Sequence, residues 1–158
     1  MIKINEAFIS ETSAKAKKSA RSRMNFNFHK EDAATLQRML NAMEPDTYIQ
    51  PHKHENPDKV EAFFALRGRL LIVEFDDTGE ITDYVVLDAR TGNFGAEIAP
   101  RTWHTVISLE EGSVAYEVKD GPYDVVVDKN FAPWAPAEGD GNGKSYNLQL
   151  LKKINLAK

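Results

Sequence analysis

Cysteine is absent from the chain, which removes thiolate zinc sites and cysteine nucleophiles and leaves only nitrogen and oxygen donors for any metal. A basic excess is absent too. Lysine and arginine number 20 against 24 aspartates and glutamates, a net charge of -4, and nucleic acid as a partner would call for the opposite balance. No apolar stretch approaches the roughly 18 residues of a membrane span, and "MIKINEAFISETSAKAKKSA" at the start lacks the apolar core of a signal peptide. The expectation is a cytoplasmic protein with neither a nucleic-acid nor a membrane partner. No internal repeat or low-complexity tract is evident, and 158 residues suffice for one domain with a proper core. Histidine is scarce as well, with four in the chain. Two of them stand one residue apart.

Those two lie in "PHKHENPDKVEAFFALRG", Pro51 to Gly68. In a strand, side chains at i and i+2 leave the same face, so His52 and His54 present two imidazoles to one point. Glu61 follows in an otherwise apolar run, Val-Glu-Ala-Phe-Phe-Ala-Leu. A buried carboxylate there needs a compensating partner, since even a neutral polar group buried without one costs on the order of 2–7 kcal/mol. His104, in "APRTWHTVISL", opens a later strand candidate and can close the set. Two imidazoles from one strand, a carboxylate from the next and a third imidazole from a distant strand can surround one cation with positions left open.

Around this constellation the chain reads as mostly β. Residues from about Asn5 to Lys18, rich in Ala, Lys and Glu without Pro or Gly, predict an amphipathic helix. In "RSRMNFNFH", Arg21, Arg23, Asn25, Asn27 and His29 alternate with Ser22, Met24, Phe26 and Phe28, the period of a strand with one unusually polar face. "KEDAATLQRMLNAMEP" is ambiguous, favouring helix by propensity and strand by alternation; a short turn and then a strand is the expectation. Further strands are expected near 47–54, 60–67, 69–76, 81–88, 95–99, 103–109, 113–119 and 124–128. Asp76 to Gly79 and Glu110 to Gly112 look like hairpin loops, and Gly68 marks a tight corner. Many short strands with regular turns imply a sandwich or barrel. "FAPWAPAEGDGNGK" is a wrap, and "SYNLQLLKKI" returns to helix.

The pattern HxH, then Glu, then six residues, then Gly, with a Pro shortly before a later His, resembles the cupin superfamily. The resemblance implies an all-β fold, a double-stranded β-barrel or jelly roll, here with a helical N-terminal segment and a short C-terminal helix. It carries His52, His54, Glu61 and His104 over as ligands of one divalent transition metal, with Fe, Mn, Ni, Zn and Cu all suited to the donor set. This chain departs from the pattern in the enlarged loop Glu55 to Val60, and in Arg101 and Ser108, which stand where Gly and Asn are typical. "RSRMNFNFH", "LQRMLNAMEPDTYIQPHKH", "WHTVISL", "EVKDGPY" and "FAPWAPAEG" are together similar to the WbuC family of small cupin metalloproteins, associated with bacterial surface-polysaccharide (O-antigen) gene clusters. That likeness divides the chain into an N-terminal helical appendage at 1–20, a barrel at 21–139 and a C-terminal wrap and helix at 140–158.

On that template Arg21, Arg23, Lys119 and Arg101 come near the barrel mouth, suited to a carboxylate or phosphate. Tyr48 and Gln50 share the nominal face of His52, and Phe63 and Ala65 that of Glu61. The expected substrate-binding groups are Arg21, Arg23, Tyr48 and Lys119, although Glu117 and Lys119 can equally form a structural ion pair. His29, the histidine not assigned to metal, is a candidate general acid or base, and Tyr123 a candidate proton donor. The expected partner is a small anionic sugar derivative, and a homodimer is compatible with the chain. Isomerisation or epimerisation of a sugar or nucleotide-sugar is the leading expectation. Fe(II)-dependent oxygenation and non-enzymatic sugar sensing are the alternatives.

Overall fold

A computed structural model describes residues 1–124 and 128–157. The expected N-terminal helix is α1, Glu6–Lys18, started by the Asn5 side chain, which accepts from the Phe8 amide. Ten strands follow among the described residues: β1 Arg23–Asn27, β2 Leu36–Met43, β3 His52–Lys53, β4 Glu61–Arg67, β5 Leu70–Phe75, β6 Ile81–Leu87, β7 Gly95–Ile98, β8 Trp103–Ser108, β9 Ser113–Asp120 and β10 Asn130–Phe131. The chain ends in α2, Gly143–Lys153. The strand expected near 124–128 falls on 125–127, outside the described residues.

Two five-stranded antiparallel sheets result, one in the order β1-β2-β9-β4-β7 and the other β10-β3-β8-β5-β6. This is a cupin-like β-sandwich. The segment with mixed signals became strand β2 because it sits between two partners: it pairs along its length with β9, Leu36 to Asp120 through Met43 to Ser113, and on its other side with β1. Helix propensity differs among ordinary residues by well under ~1 kcal/mol each, which two ladders of strand pairing outweigh.

Successive strands often change sheets, and the corners are legible. Asp76 to Gly79 is the expected hairpin between β5 and β6, with the Asp76 carboxylate accepting from Thr78 and Glu80 amides. Glu110 to Gly112 is not a hairpin, because β8 and β9 belong to opposite sheets. It is a corner of the sandwich, and Gly68 makes the matching corner between β4 and β5. Gly68 has φ +74°, and a Cβ there would collide with Ser113 Oγ and lie 2.8 Å from Ser113 Cα. A side chain at that point would hold the two corners apart.

The interior between the sheets has an apolar part made of Met43, Ile49, Phe63, Ala65, Leu70, Ile72, Leu87, Ile98, Val106 and Ala115. Helix α1 lies on the outer face of the first sheet, burying Ile9 and Ala16 against Leu40, Ala42 and Val114. The apolar face of β1 meets it there, with Phe8 and Phe26 edge to face at 4.7 Å. The polar face of β1 is thereby turned the other way. No helix among the described residues is long and apolar enough to cross a membrane.

Candidate metal centre

The site forms where three strand ends meet. His52 and His104 face each other as paired residues of β3 and β8, and Glu61 begins β4. The alternation expected of His52 and His54 is visible in the residue between them. Lys53 leaves the opposite face, with its ammonium 4.5 Å from the centre of the Trp103 ring. One donor atom each from His52, His54, Glu61 and His104 lie within 4.8 Å of one another, and all four residues are at most 3 % exposed.

Hydrogen bonding tests whether this cluster suits a cation. All three imidazoles direct Nδ1 at a backbone carbonyl: His52 at Gln50 O (2.9 Å), His54 at Asp128 O (2.5 Å) and His104 at Thr102 O (2.9 Å). Donation to those oxygens puts the proton on Nδ1 and leaves a lone pair on Nε2, the tautomer that a metal ligand needs. The Nε2 atoms of His52 and His54 are buried with no hydrogen-bond partner. His104 Nε2 sits 3.0 Å from Glu61 Oε2 and His54 Nε2 lies 3.4 Å from the same oxygen. With Nδ1 protonated, these approaches set lone pair against lone pair unless a proton or a cation stands between them. The donor set therefore fits one divalent transition metal bound by three imidazoles and a carboxylate.

Electrostatics around the cluster follow from burial. Burial pushes the Glu61 carboxyl up, but in the absence of a cation the adjoining His104 and His54 rings outweigh it and hold the group well below the usual carboxylate range. His52 is held well below the ordinary imidazole value, by burial first and then by Lys129 and His104. Glu117 is pushed up to about 8, chiefly by burial and next by the Glu61 charge; its carboxylate accepts from the Asn41 amide at 2.7 Å. Beside it Lys119 donates to Asp128 at 2.6 Å, so the pair for Lys119 is Asp128 and not Glu117. The same carboxylate holds Lys59 at 2.7 Å, and both Lys59 and Asp128 are 2 % exposed. Lys59 comes from the enlarged loop, whose length is what delivers this ammonium into the interior. Asp128 thus serves twice, its carboxylate balancing two buried lysines and its main-chain oxygen orienting His54.

Against these groups opens a cavity of about 320 Å³, walled by the polar face of β1 (Arg23, Asn25, Asn27) with Arg21 and His29, and by Gln37, Met39, Glu117, Lys119, Tyr123, Asp128 and Lys129 among others. An adjoining cavity of about 450 Å³ shares Arg21, Arg23, Tyr123, Asp128 and Lys129 with it and adds Gln50, Phe131, Ala137 and Glu138. The sequence candidates Arg21, Arg23, His29, Lys119 and Tyr123 are thus brought together. Tyr48 is not with them. It lines a separate hollow with Arg21, Arg23, Glu138 and Gly143, and its hydroxyl donates to Pro136 O at 2.7 Å. Arg23 is held by both Glu138 oxygens, at 2.8 and 2.6 Å, and by Tyr48 O at 2.7 Å. Arg101 is exposed, bound to Asp58, and lines none of these cavities. His29 Nδ1 stands 3.1 Å from both the backbone N and O of Arg38, which fixes the ring. Lys59, Asp128, Lys129 and Glu138 were not legible as site residues. Their one signal is charge beside apolar runs of sequence, as in "VVVDKNF", and it does not distinguish an inward side chain from a surface one.

The model of the family described as Domain of unknown function (DUF6016) matches residues 4–87, more than half of the chain. The chain belongs to this family. The matched segment contains His52, His54 and Glu61, while His104 lies beyond it. No curated protein matches the chain. Among solved structures, the L-ribose isomerase of Cellulomonas parahominis is similar at a TM-score of 0.56 and 15 % identity, covering 77 % of this chain and 72 % of that one. Protein SO0799 from Shewanella oneidensis gives a TM-score of 0.53 at 12 % identity over 72 % of this chain and 75 % of that one. The capsular polysaccharide assembling protein CapF from Staphylococcus aureus gives 0.51 at 15 % identity, over 68 % of this chain and 31 % of that one. At these identities the likeness is one of fold, and the fold is that of the cupins.

Proposed function

We propose that this chain is a metal-binding cupin of the WbuC kind, its two sheets closed as a jelly-roll barrel. It acts as an isomerase or epimerase on a sugar or nucleotide-sugar of bacterial surface-polysaccharide (O-antigen) biosynthesis. The observation that carries the reading is the buried, partnerless pair of His52 and His54 Nε2 atoms converging with Glu61 and His104 beside a cavity with cationic and amide walls. Similarity in fold to an L-ribose isomerase and to a capsular polysaccharide protein supports sugar chemistry over other uses of the same donor set.

Bound by His52, His54, Glu61 and His104, a divalent transition metal supplies Lewis acidity toward a carbonyl or hydroxyl oxygen. The chain's own residues supply the rest. Sugar isomerisation and epimerisation require a proton to leave and return at carbon next to that oxygen. His29 lines the cavity with Nδ1 engaged by Arg38, which leaves Nε2 as the atom that takes or gives the proton. Tyr123 lines both cavities and is the second candidate for that proton. Arg21 and Lys129 make the wall cationic, Arg23 and Lys119 being balanced by Glu138 and Asp128, and Asn25 and Asn27 offer amides to hydroxyl groups.

The test is to load the purified chain with each metal in turn and incubate it in D2O with free sugars and nucleotide-sugars, with and without air. The expected result is about one metal per protomer and deuterium at a single substrate carbon, with both lost in the folded His52→Ala/His54→Ala variant. Equal metal in the two proteins would overturn the site. Oxygen consumption with an oxidised product would replace isomerisation by oxygenation.

A further inference from the structure

Three lysines stand around the metal cluster, and their partners differ. Lys59 and Lys119 share the Asp128 carboxylate at 2.7 and 2.6 Å. Lys129 has no hydrogen bond or ion pair among the described residues, although it is half-buried and lines both cavities. The two arginines differ in the same way. Arg23 is clamped on Glu138 and Tyr48 O, whereas the Arg21 guanidinium has no partner among the described residues and lines the same two cavities. A half-buried ammonium without an ion-pair partner is costly, and burial lowers the pKa of Lys129 against the opposing pull of the Glu61, Glu117 and Asp128 charges. A metal ion held nearby would add a second uncompensated positive charge.

Resting on the sugar reading above, we infer that the substrate is an acid sugar or sugar phosphate whose anionic group is held between Lys129 and Arg21. Arg23 is excluded from that role by Glu138. The two cavities share the wall where Lys129 and Arg21 stand, so an anion there leaves the rest of the molecule free to lie along the β1 face. Asn25 and Asn27 line that path with neutral donors and acceptors, and Tyr123 and Phe131 offer ring faces at the other end. Volumes of about 320 and 450 Å³ suit a small molecule, whose sites span roughly 300–1,000 Å³. A carboxylate and a phosphate satisfy the same two cations by charge-assisted hydrogen bonds.

Calorimetric titration of the metal-loaded full chain with glucuronate, glucose 1-phosphate and glucose tests this. At least one anion is expected to bind at least tenfold more tightly than glucose, and which one does so separates the carboxylate from the phosphate. Lys129→Gln and Arg21→Gln should each weaken that anion about tenfold, the order expected for losing one charged hydrogen bond. Lys129→Arg should restore most of the affinity. The charge-conserving Arg23→Gln/Glu138→Gln pair should lose less than threefold. Glucose binding as well as both anions, or a larger loss in the Arg23/Glu138 pair than in Lys129→Gln, would overturn the inference. Metal analysis of the same samples keeps the two readings apart: anion binding without metal would sink the metal-dependent function and leave the anion seat, while metal without anion preference would do the reverse.

Discussion

The interior between the two sheets is divided between two opposite chemistries, and the same strands build both. Strand β4 contributes Glu61 to the polar part and Phe63 and Ala65, two and four residues on, to the apolar part. Strand β8 does the same with His104 and Val106, and β9 with Lys119 and Glu117 against Ala115. Period-two alternation sends all of these inward, so position along the strand decides which chemistry a residue joins. The apolar part stabilises the fold by excluding water, at roughly 25 cal/mol per Å² of buried apolar surface. The polar part works against folding unless each charge is matched. Its matches are local and of two kinds: ion pairs within the protein, as in Lys59–Asp128–Lys119, and groups left for something else to complete, as in His52, His54 and Lys129.

If that division is real, the two parts should respond differently to metal. Phe63→Ala should carry the largest cost, about 3–5 kcal/mol, because it opens a cavity in a closed apolar cluster. The cost should be the same with metal and with chelator, as read by denaturant unfolding; a metal-dependent cost would show that the apolar part and the site are one unit.

Asp128→Asn should cost less in the chelated protein, about 3 kcal/mol, since an amide oxygen still accepts from the two lysines while its charge no longer balances them. It should leave metal affinity within about threefold, because the main-chain oxygen that accepts from His54 is kept. Competition with a chromogenic chelator measures that affinity, and a loss of tenfold or more would show that the ion pairs and the His54 support are coupled.

The last effect concerns pH. In the metal-free protein Glu117 is pushed up to about 8, by burial and by Glu61, so between its unfolded value near 4.5 and pH 8 the folded state holds more protons than the unfolded one. Stability should therefore fall as pH rises through that window and level off above it. Glu117→Gln should remove the slope and melt at a higher temperature than the wild type at pH 8. Loading with metal should flatten the wild-type slope, because the Glu61 charge is then compensated. A slope that persists unchanged in Glu117→Gln would assign it to another group.

What the sequence determined by itself is what local periodicity encodes. The HxH pair, the polar face of β1, the inward Glu61 and most strand limits follow from side chains alternating with a period of two, a property of neighbouring residues that needs no knowledge of the fold. Asp76 to Gly79 was legible as a hairpin for the same reason, because its turn is closed by its own residues. Tertiary structure alone decided the matters that depend on partners far along the chain. Whether Leu36 to Met43 was helix or strand awaited β9; whether Glu110 to Gly112 joined one sheet or two awaited the sandwich. Arg23 and Lys129 look equally available in the sequence, yet Glu138, 115 residues away, holds the first and no described residue holds the second. A charge costs little in water and much in an interior, so its role depends on its counter-charge, and only the assembled sheets bring the two together.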